Sequence, residues 1–194
     1  RFITIEDAAE LQLQQPHVVR LEARGPSIEG KGEVTMRTLF RNALRMRPDR
    51  IILGEVRGDE VLDLLQAMNT GHDGTMSTLH ANTPRDALTR LENMVAMSGI
   101  DLPLDVARTQ LRNGLHVVVQ VARGRDGGRR VTSISEVAGL DGGVVQLQEL
   151  FRFAHGPETT RQTVAGNFEA SGLASVHLER AAEYGLERDL DTVT

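Results

Sequence analysis

Three short apolar runs, each closed by an ionisable side chain, constrain this chain more than any other feature. Phe2-Ile3-Thr4-Ile5 stops at Glu6-Asp7, Ile51-Ile52-Leu53 at Gly54-Glu55, and Thr75 to Leu79 at His80. Such runs read as strands. Val18-Val19-Arg20-Leu21 is a further candidate. Helical periods separate them. Met36, Leu39, Phe40, Ala43 and Leu44 recur at helical spacing from about Val34 to Arg47, and Pro48 ends the run. Val61, Leu64, Leu65 and Met68 mark a helix from about Asp59 to Asn69, with Gly71 as its stop. Thr83-Pro84 opens a helix whose stripe is Leu88, Leu91, Met94 and Val95, and another helix is expected over Leu104 to Asn113. Strands alternating with helices predict an α/β layer built on a mostly parallel sheet.

Beyond about residue 115 the pattern changes. His116 to Val121, Val131 to Val137 and Val144 to Phe153 are β-rich runs, and glycine-rich turns at 124–128 and 141–143 separate them. These predict an antiparallel meander. From about Gly156 the chain is polar, with one weak helix expected over Ala174 to Tyr184. Residues 1–155 therefore read as the main domain and 156–194 as a tail. Arg1 leads straight into a strand, so a preceding segment is expected.

Composition removes several function classes. The 194 residues contain no cysteine, which excludes disulfides, thiolate metal sites and a cysteine nucleophile. The net charge of −5, the lack of tryptophan and a single tyrosine (Tyr184) argue against passive binding of nucleic acid. No apolar run approaches the roughly 20 residues of a membrane-spanning helix.

In open α/β sheets, ligands bind beyond the carboxyl ends of the strands. Glu6, Asp7 and Glu10 follow the first strand, Glu55 the second and His80 the third, so these groups are expected at one edge. An apolar strand followed at once by an acid has the form of a Walker B element, whose acid orients the magnesium shell or activates a water for attack on phosphate. Gly25-Pro26-Ser27-Ile28-Glu29-Gly30-Lys31-Gly32 matches a phosphate loop only through its lysine. Gly32 stands where the magnesium-binding Ser or Thr belongs, so the segment is read as a connector with Lys31 exposed. The phosphate cradle is then expected upstream of Arg1. Arg37, Arg41 and Arg45 share a helix face, either solvated or close to phosphate. Arg123, Arg125, Arg129 and Arg130 fall on a hairpin turn, either solvated or a docking surface.

Three ordered motifs carry a family resemblance over roughly residues 2 to 155. Thr4-Ile5-Glu6-Asp7-Ala8-Ala9-Glu10 resembles the Asp box of the secretion ATPase superfamily, which serves type II and type IV secretion and type IV pili. Ile51 through Glu60 resembles its atypical Walker B, and Gly71 through Asn82 its His box. The text from Ile28 to Thr35 and from Arg41 to Arg50 is similar to the CpaF-type ATPases of tight-adherence (Tad/Flp) pili.

The resemblance implies a RecA-like P-loop NTPase core, the C-terminal domain of a homohexamer that uses ATP and Mg2+. It implies a motor for pilus assembly or protein secretion, cytoplasmic and docked at an inner-membrane platform protein. A conjugation-type (type IV secretion) ATPase or a non-catalytic ring subunit is the alternative. By the same resemblance Glu55 is the general base and Glu10 the catalytic Asp-box acid, with Glu6 and Asp7 beside it. His72 and His80 sense the γ-phosphate. Arg57 and Glu60 are ion partners within the motif, and Arg41 and Arg45 bridge motifs or subunits. Without the phosphate loop, this stretch alone is expected to hydrolyse ATP negligibly.

Overall fold

A computed structural model describes all 194 residues. The chain divides into two compact units, residues 1–82 with 86–115, and residues 116–194 with 83–85.

The first unit holds a four-stranded sheet, β1 (Phe2–Glu6), β2 (Val18–Glu22), β3 (Arg50–Leu53) and β4 (Met76–Ser77), in the order β2-β1-β3-β4. Every pairing is parallel. β1 is central, and Ile3, Thr4, Ile5 and Glu6 are all buried, as a strand covered on both faces requires. α1 (Met36–Ala43) connects β2 to β3, and α2 (Glu60–Asn69) connects β3 to β4. α3 (Pro84–Met97) and α4 (Leu104–Gly114) follow. Of the periodic residues, Phe40 and Ala43 on α1, Val61, Leu64 and Leu65 on α2, and Leu88, Leu91, Met94 and Val95 on α3 are buried, while Met36, Leu39, Leu44 and Met68 are half-buried.

Local chemistry sets the boundaries. Thr35 caps α1 by accepting the Thr38 N–H at 3.1 Å. α1 is shorter than the periodicity suggests. Pro48 bars Arg47 from right-handed helical backbone; the chain tightens into a 3-10 turn over Leu44–Met46 and leaves through Arg47 at φ 53. α2 ends as expected at Gly71, φ 85, with the His72 N–H reaching back to the Ala67 carbonyl at 3.3 Å. β4 spans only two residues of the expected five, because beyond Ser77 the contact to β3 passes to irregular bonds. The Val56 N–H donates to the Thr78 carbonyl at 3.0 Å, and the Thr78 hydroxyl to the Gly54 carbonyl. The Gly25 to Gly32 segment neither follows a strand directly nor opens a helix. Its turn is closed by the Ser27 N–H on the Lys31 carbonyl at 2.8 Å, and Lys31 is exposed.

The second unit is an antiparallel sheet in the order β5-β6-β7-β8: β5 (Val117–Arg123), β6 (Arg129–Asp141), β7 (Val144–His155) and β8 (Gly166–Ala170). The first three strands form the expected meander. β8 was not legible, since Gly-Asn-Phe-Glu-Ala lacks apolar alternation; pairing with β7, from Phe151 opposite Ala170 to His155 opposite Gly166, makes it a strand. The expected helix over Ala174 to Tyr184 is shorter, α5 (Leu178–Glu183), and α6 (Glu187–Val193) follows. The start of the expected helix is spent on an anchor. The Ser175 hydroxyl and the Val176 N–H both donate to the carboxylate of Glu136, which is 2% exposed.

Candidate functional site

The parallel register places the carboxyl ends of three strands side by side, with Ile5 opposite Leu53 and Leu53 opposite Ser77. Glu6, Glu55 and the Thr78 to His80 segment therefore meet at one edge. Glu55 leaves β3 after Gly54, whose N–H donates to the Ile5 carbonyl at 2.8 Å.

Glu55 is the centre of this edge. Its side chain is 15% exposed. Oε2 accepts the Arg57 Nε–H at 2.7 Å, and Oε1 lies 3.4 Å from His80 Nε2. The Arg57 guanidinium holds the Glu55 carboxyl below the usual carboxylate range against the opposing effect of burial, with smaller help from His80 and Arg90. Arg57 also reaches Asp7, Nη1 to Oδ2 at 3.4 Å, so one guanidinium links the loop after β1 to the loop after β3. The His80 side chain is 81% exposed, and its backbone carbonyl accepts the Arg90 Nη1–H at 2.6 Å. Glu55 thus keeps one oxygen committed to a cation while the other faces an open imidazole.

The acids at the end of β1 and in the loop beyond it differ in burial. Glu6, at 5% exposure, is the buried one. Its Oε1 accepts the N–H groups of Glu10 at 3.1 Å and Leu11 at 3.0 Å, which shapes the loop. Its Oε2 is buried without a hydrogen-bond partner. Glu10 is held through its backbone, and its side chain is exposed, as is that of Asp7.

His72 lies at a different edge and Glu60 makes a different contact. His72 precedes β4 and His80 follows it, so the two histidines stand at opposite ends of a parallel strand. On that other edge the Arg50 Nη1–H donates to the Asp73 carbonyl at 3.2 Å, and His72 Nδ1 is buried without a partner. Glu60 is not paired through its side chain with a cation. Its Oε1 accepts the N–H groups of Arg57 at 2.6 Å and Gly58 at 2.9 Å, capping the turn that carries Arg57. Arg45 is exposed.

Sequence reasoning missed Asp63. This α2 acid is 7% exposed and accepts Arg37 Nε–H at 2.6 Å and Arg41 Nε–H at 2.8 Å. Arg37 also donates to Asp59 at 2.6 Å. Arg41 therefore bridges α1 to α2 within one chain. The signal was present: arginines at 37 and 41 and aspartates at 59 and 63 each recur at i and i+4, which puts each pair on one helix face.

Residues 1–159 match the family described as Type II/IV secretion system protein. The chain belongs to that family. A Mycobacterium tuberculosis protein named for conjugal transfer is 49% identical over 144 residues, 74% of this chain and 40% of the relative. The type IV secretion system protein VirB11 of Bartonella quintana is 37% identical over 136 residues, 69% of this chain and 38% of the relative. The crystal structure of the VirB11 ATPase from the Brucella suis type IV secretion system superposes with a TM-score of 0.60 at 37% identity, over 69% of this chain and 39% of that one. The chain spans about 40% of the length of these two curated relatives. No helix is long and apolar enough to cross a membrane.

Proposed function

We propose that this chain is the C-terminal, RecA-like part of an ATP-hydrolysing motor that drives secretion or pilus assembly at the inner membrane. The observation that carries the reading is the placement of Glu55. It stands at the carboxyl end of a buried parallel strand, with Arg57 on one oxygen and His80 near the other. Residues 1–155 form the ATPase domain in this reading, and 156–194 a tail whose β8 extends the sheet.

Glu55 is the general base. A water at Oε1 would give its proton to the carboxylate as its oxygen bonds to the γ-phosphorus, and the bond from that phosphorus to the bridging β-phosphate oxygen would break to release ADP. Arg57 fixes the Glu55 rotamer, and His80 stands beside the same oxygen to orient water and phosphate. Bound ATP would supply the reactive phosphoryl group, and Mg2+ would offset its negative charge. The residues at this edge fit that pair: Glu6 Oε2 is a buried carboxylate oxygen without a partner, suited to a water of a hydrated cation, and the Glu10 side chain, whose backbone N–H is tied to Glu6 Oε1, is exposed. Arg45, exposed in the 3-10 turn after α1, is the residue offered across a subunit interface of the homohexamer. His72 organises the far end of β4 in this reading.

The motifs support a tight-adherence (CpaF-type) motor docked on an inner-membrane platform protein, on the cytoplasmic side. The relatives named for conjugal transfer and for VirB11 support a conjugation-type secretion motor instead. The test is steady-state ATP turnover by the full-length protein with and without Mg2+, alongside its mass in solution. Magnesium-dependent turnover by a hexamer supports the motor. Nucleotide binding without turnover leaves a non-catalytic ring subunit. Loss of pili against loss of conjugation in a deletion strain then separates the two cargoes.

A further inference from the structure

We propose that the cavity at the turn end of the β5–β6 hairpin docks an acidic peptide segment of a partner protein, anchored by one apolar side chain. The cavity lies wholly within the second unit and has a volume of about 350 Å3. That is at the small end of the roughly 300–1,000 Å3 range for ligand pockets.

Its interior is hydrocarbon. Phe153, Ala122 and Val164 line it, and the ring of Phe153 is held edge-on by Phe168 and His155, with centroids 5.7 Å and 5.4 Å away. Two hydroxyls also line it, and each has already spent its one proton. Thr132 donates to the Gln120 carbonyl at 3.3 Å, and Thr159 donates to the Ala165 carbonyl at 2.6 Å while accepting the Ala165 N–H. An acceptor atom of a purine or sugar would find neither hydroxyl proton free to meet it, at a desolvation cost. An aliphatic or phenyl side chain brings none.

The rim is cationic, against the sign of the chain. Arg123, Arg125, Arg129 and Arg130 fall within eight residues that hold one acid, Asp126, in a protein of net charge −5. Asp126 is committed inward. Arg130 Nη2 pairs with it at 2.7 Å and holds its carboxyl down to about 2, and the Gly128 N–H adds a bond at 3.1 Å. Arg130 in turn lies over Phe153, 5.8 Å from its centroid. This pair fixes the wall, and Gly124 lets the turn close on it: a Cβ there would come within 2.2 Å of Arg130 Nη1 and 2.6 Å of Asp126 Oδ1. Arg123 and Arg125 are exposed at the mouth. Arg123 spends only its Nε–H, on the Gly127 carbonyl at 3.2 Å. Two separate guanidinium forks beside a hydrocarbon cavity suit carboxylates that flank an apolar residue.

The experiment is fluorescence anisotropy of the full chain with labelled heptapeptides. Glutamates flank a central Phe, Leu or Ala, and a fourth peptide has Phe flanked by lysines. The Phe and Leu peptides should bind, the Ala peptide about tenfold more weakly, and the lysine peptide not at all. Arg123→Glu with Arg125→Glu should weaken binding by about tenfold or more. Val164→Trp, which fills the cavity and keeps the rim, should bring the Phe peptide down to the Ala level. Circular dichroism confirms that both variants are folded. Equal binding of all glutamate peptides, binding that survives the charge reversal, or no binding of any peptide at millimolar concentration overturns the proposal. So does binding of AMP or inorganic phosphate in place of the peptides, or self-association that the charge reversal abolishes.

Discussion

Replacing Asp63 by Asn should destabilise the first unit far more than removing either arginine from the surface would suggest. Asp63 is 7% exposed and takes two charge-assisted bonds, from Arg37 at 2.6 Å and Arg41 at 2.8 Å. Arg37 is only 25% exposed at its side chain, so an uncharged partner leaves a half-buried guanidinium with Asp59 alone. Breaking a fully buried pair costs about 3–5 kcal/mol, and the exposure of Arg41 and Asp59 sets this network at the low end, about 3 kcal/mol. For a chain of this size that lowers Tm by roughly 6–12 °C. Arg41→Ala is the control: its side chain is 59% exposed and Asp63 keeps Arg37, so the loss stays below about 1 kcal/mol. The assay is thermal and urea unfolding followed by helical circular dichroism. Equal losses for the two variants, or a loss below about 0.5 kcal/mol for Asp63→Asn, would refute the reading of Asp63 as the buried anchor.

Other outcomes follow from the site. Glu60→Ala leaves the N–H groups of Arg57 and Gly58 without their acceptor and should cost about 2 kcal/mol, with turnover of the full-length protein falling because the turn carrying Arg57 loosens. Arg57→Ala should raise the Glu55 pKa; since the wild-type carboxyl is held low, the stability gap between the two proteins is fully present above the ordinary value of 4.5 and vanishes as pH falls through the lowered one, read by pH-dependent unfolding. The two histidines should separate. His80→Ala lowers turnover at unchanged Tm because the side chain is 81% exposed, whereas His72→Ala, at the opposite end of β4, changes Tm more than turnover.

Much of this arrangement was readable in advance, and what was not has identifiable causes. The buried strands and the helix stripes at Leu88, Leu91, Met94 and Val95 follow from apolar spacing, which tertiary structure reinforces. The gathering of Glu6, Glu55 and His80 at one edge follows from the parallel order alone. Roles within a motif are less legible. Glu6 and Glu10 are the same residue type four positions apart, and Glu6 is buried because it ends central strand β1, whereas Glu10 lies in the loop beyond and faces solvent. His72 and His80 fall within one short motif, yet the strand between them carries them to opposite edges. β8 carries no apolar alternation of its own and forms because β7 offers an unpaired edge.

The account stands most directly on Glu55. The decisive measurement compares nucleotide affinity and steady-state ATP turnover in full-length wild type and Glu55→Gln. The amide keeps the size and the acceptor that Arg57 holds but cannot take a proton. Loss of a positioned general base lowers rates by about 10²–10⁴-fold. The account predicts a loss of that order with nucleotide affinity and Tm close to wild type. Turnover within a few-fold of wild type, at unchanged affinity, would contradict it and leave Glu55 as an anchor for Arg57 alone.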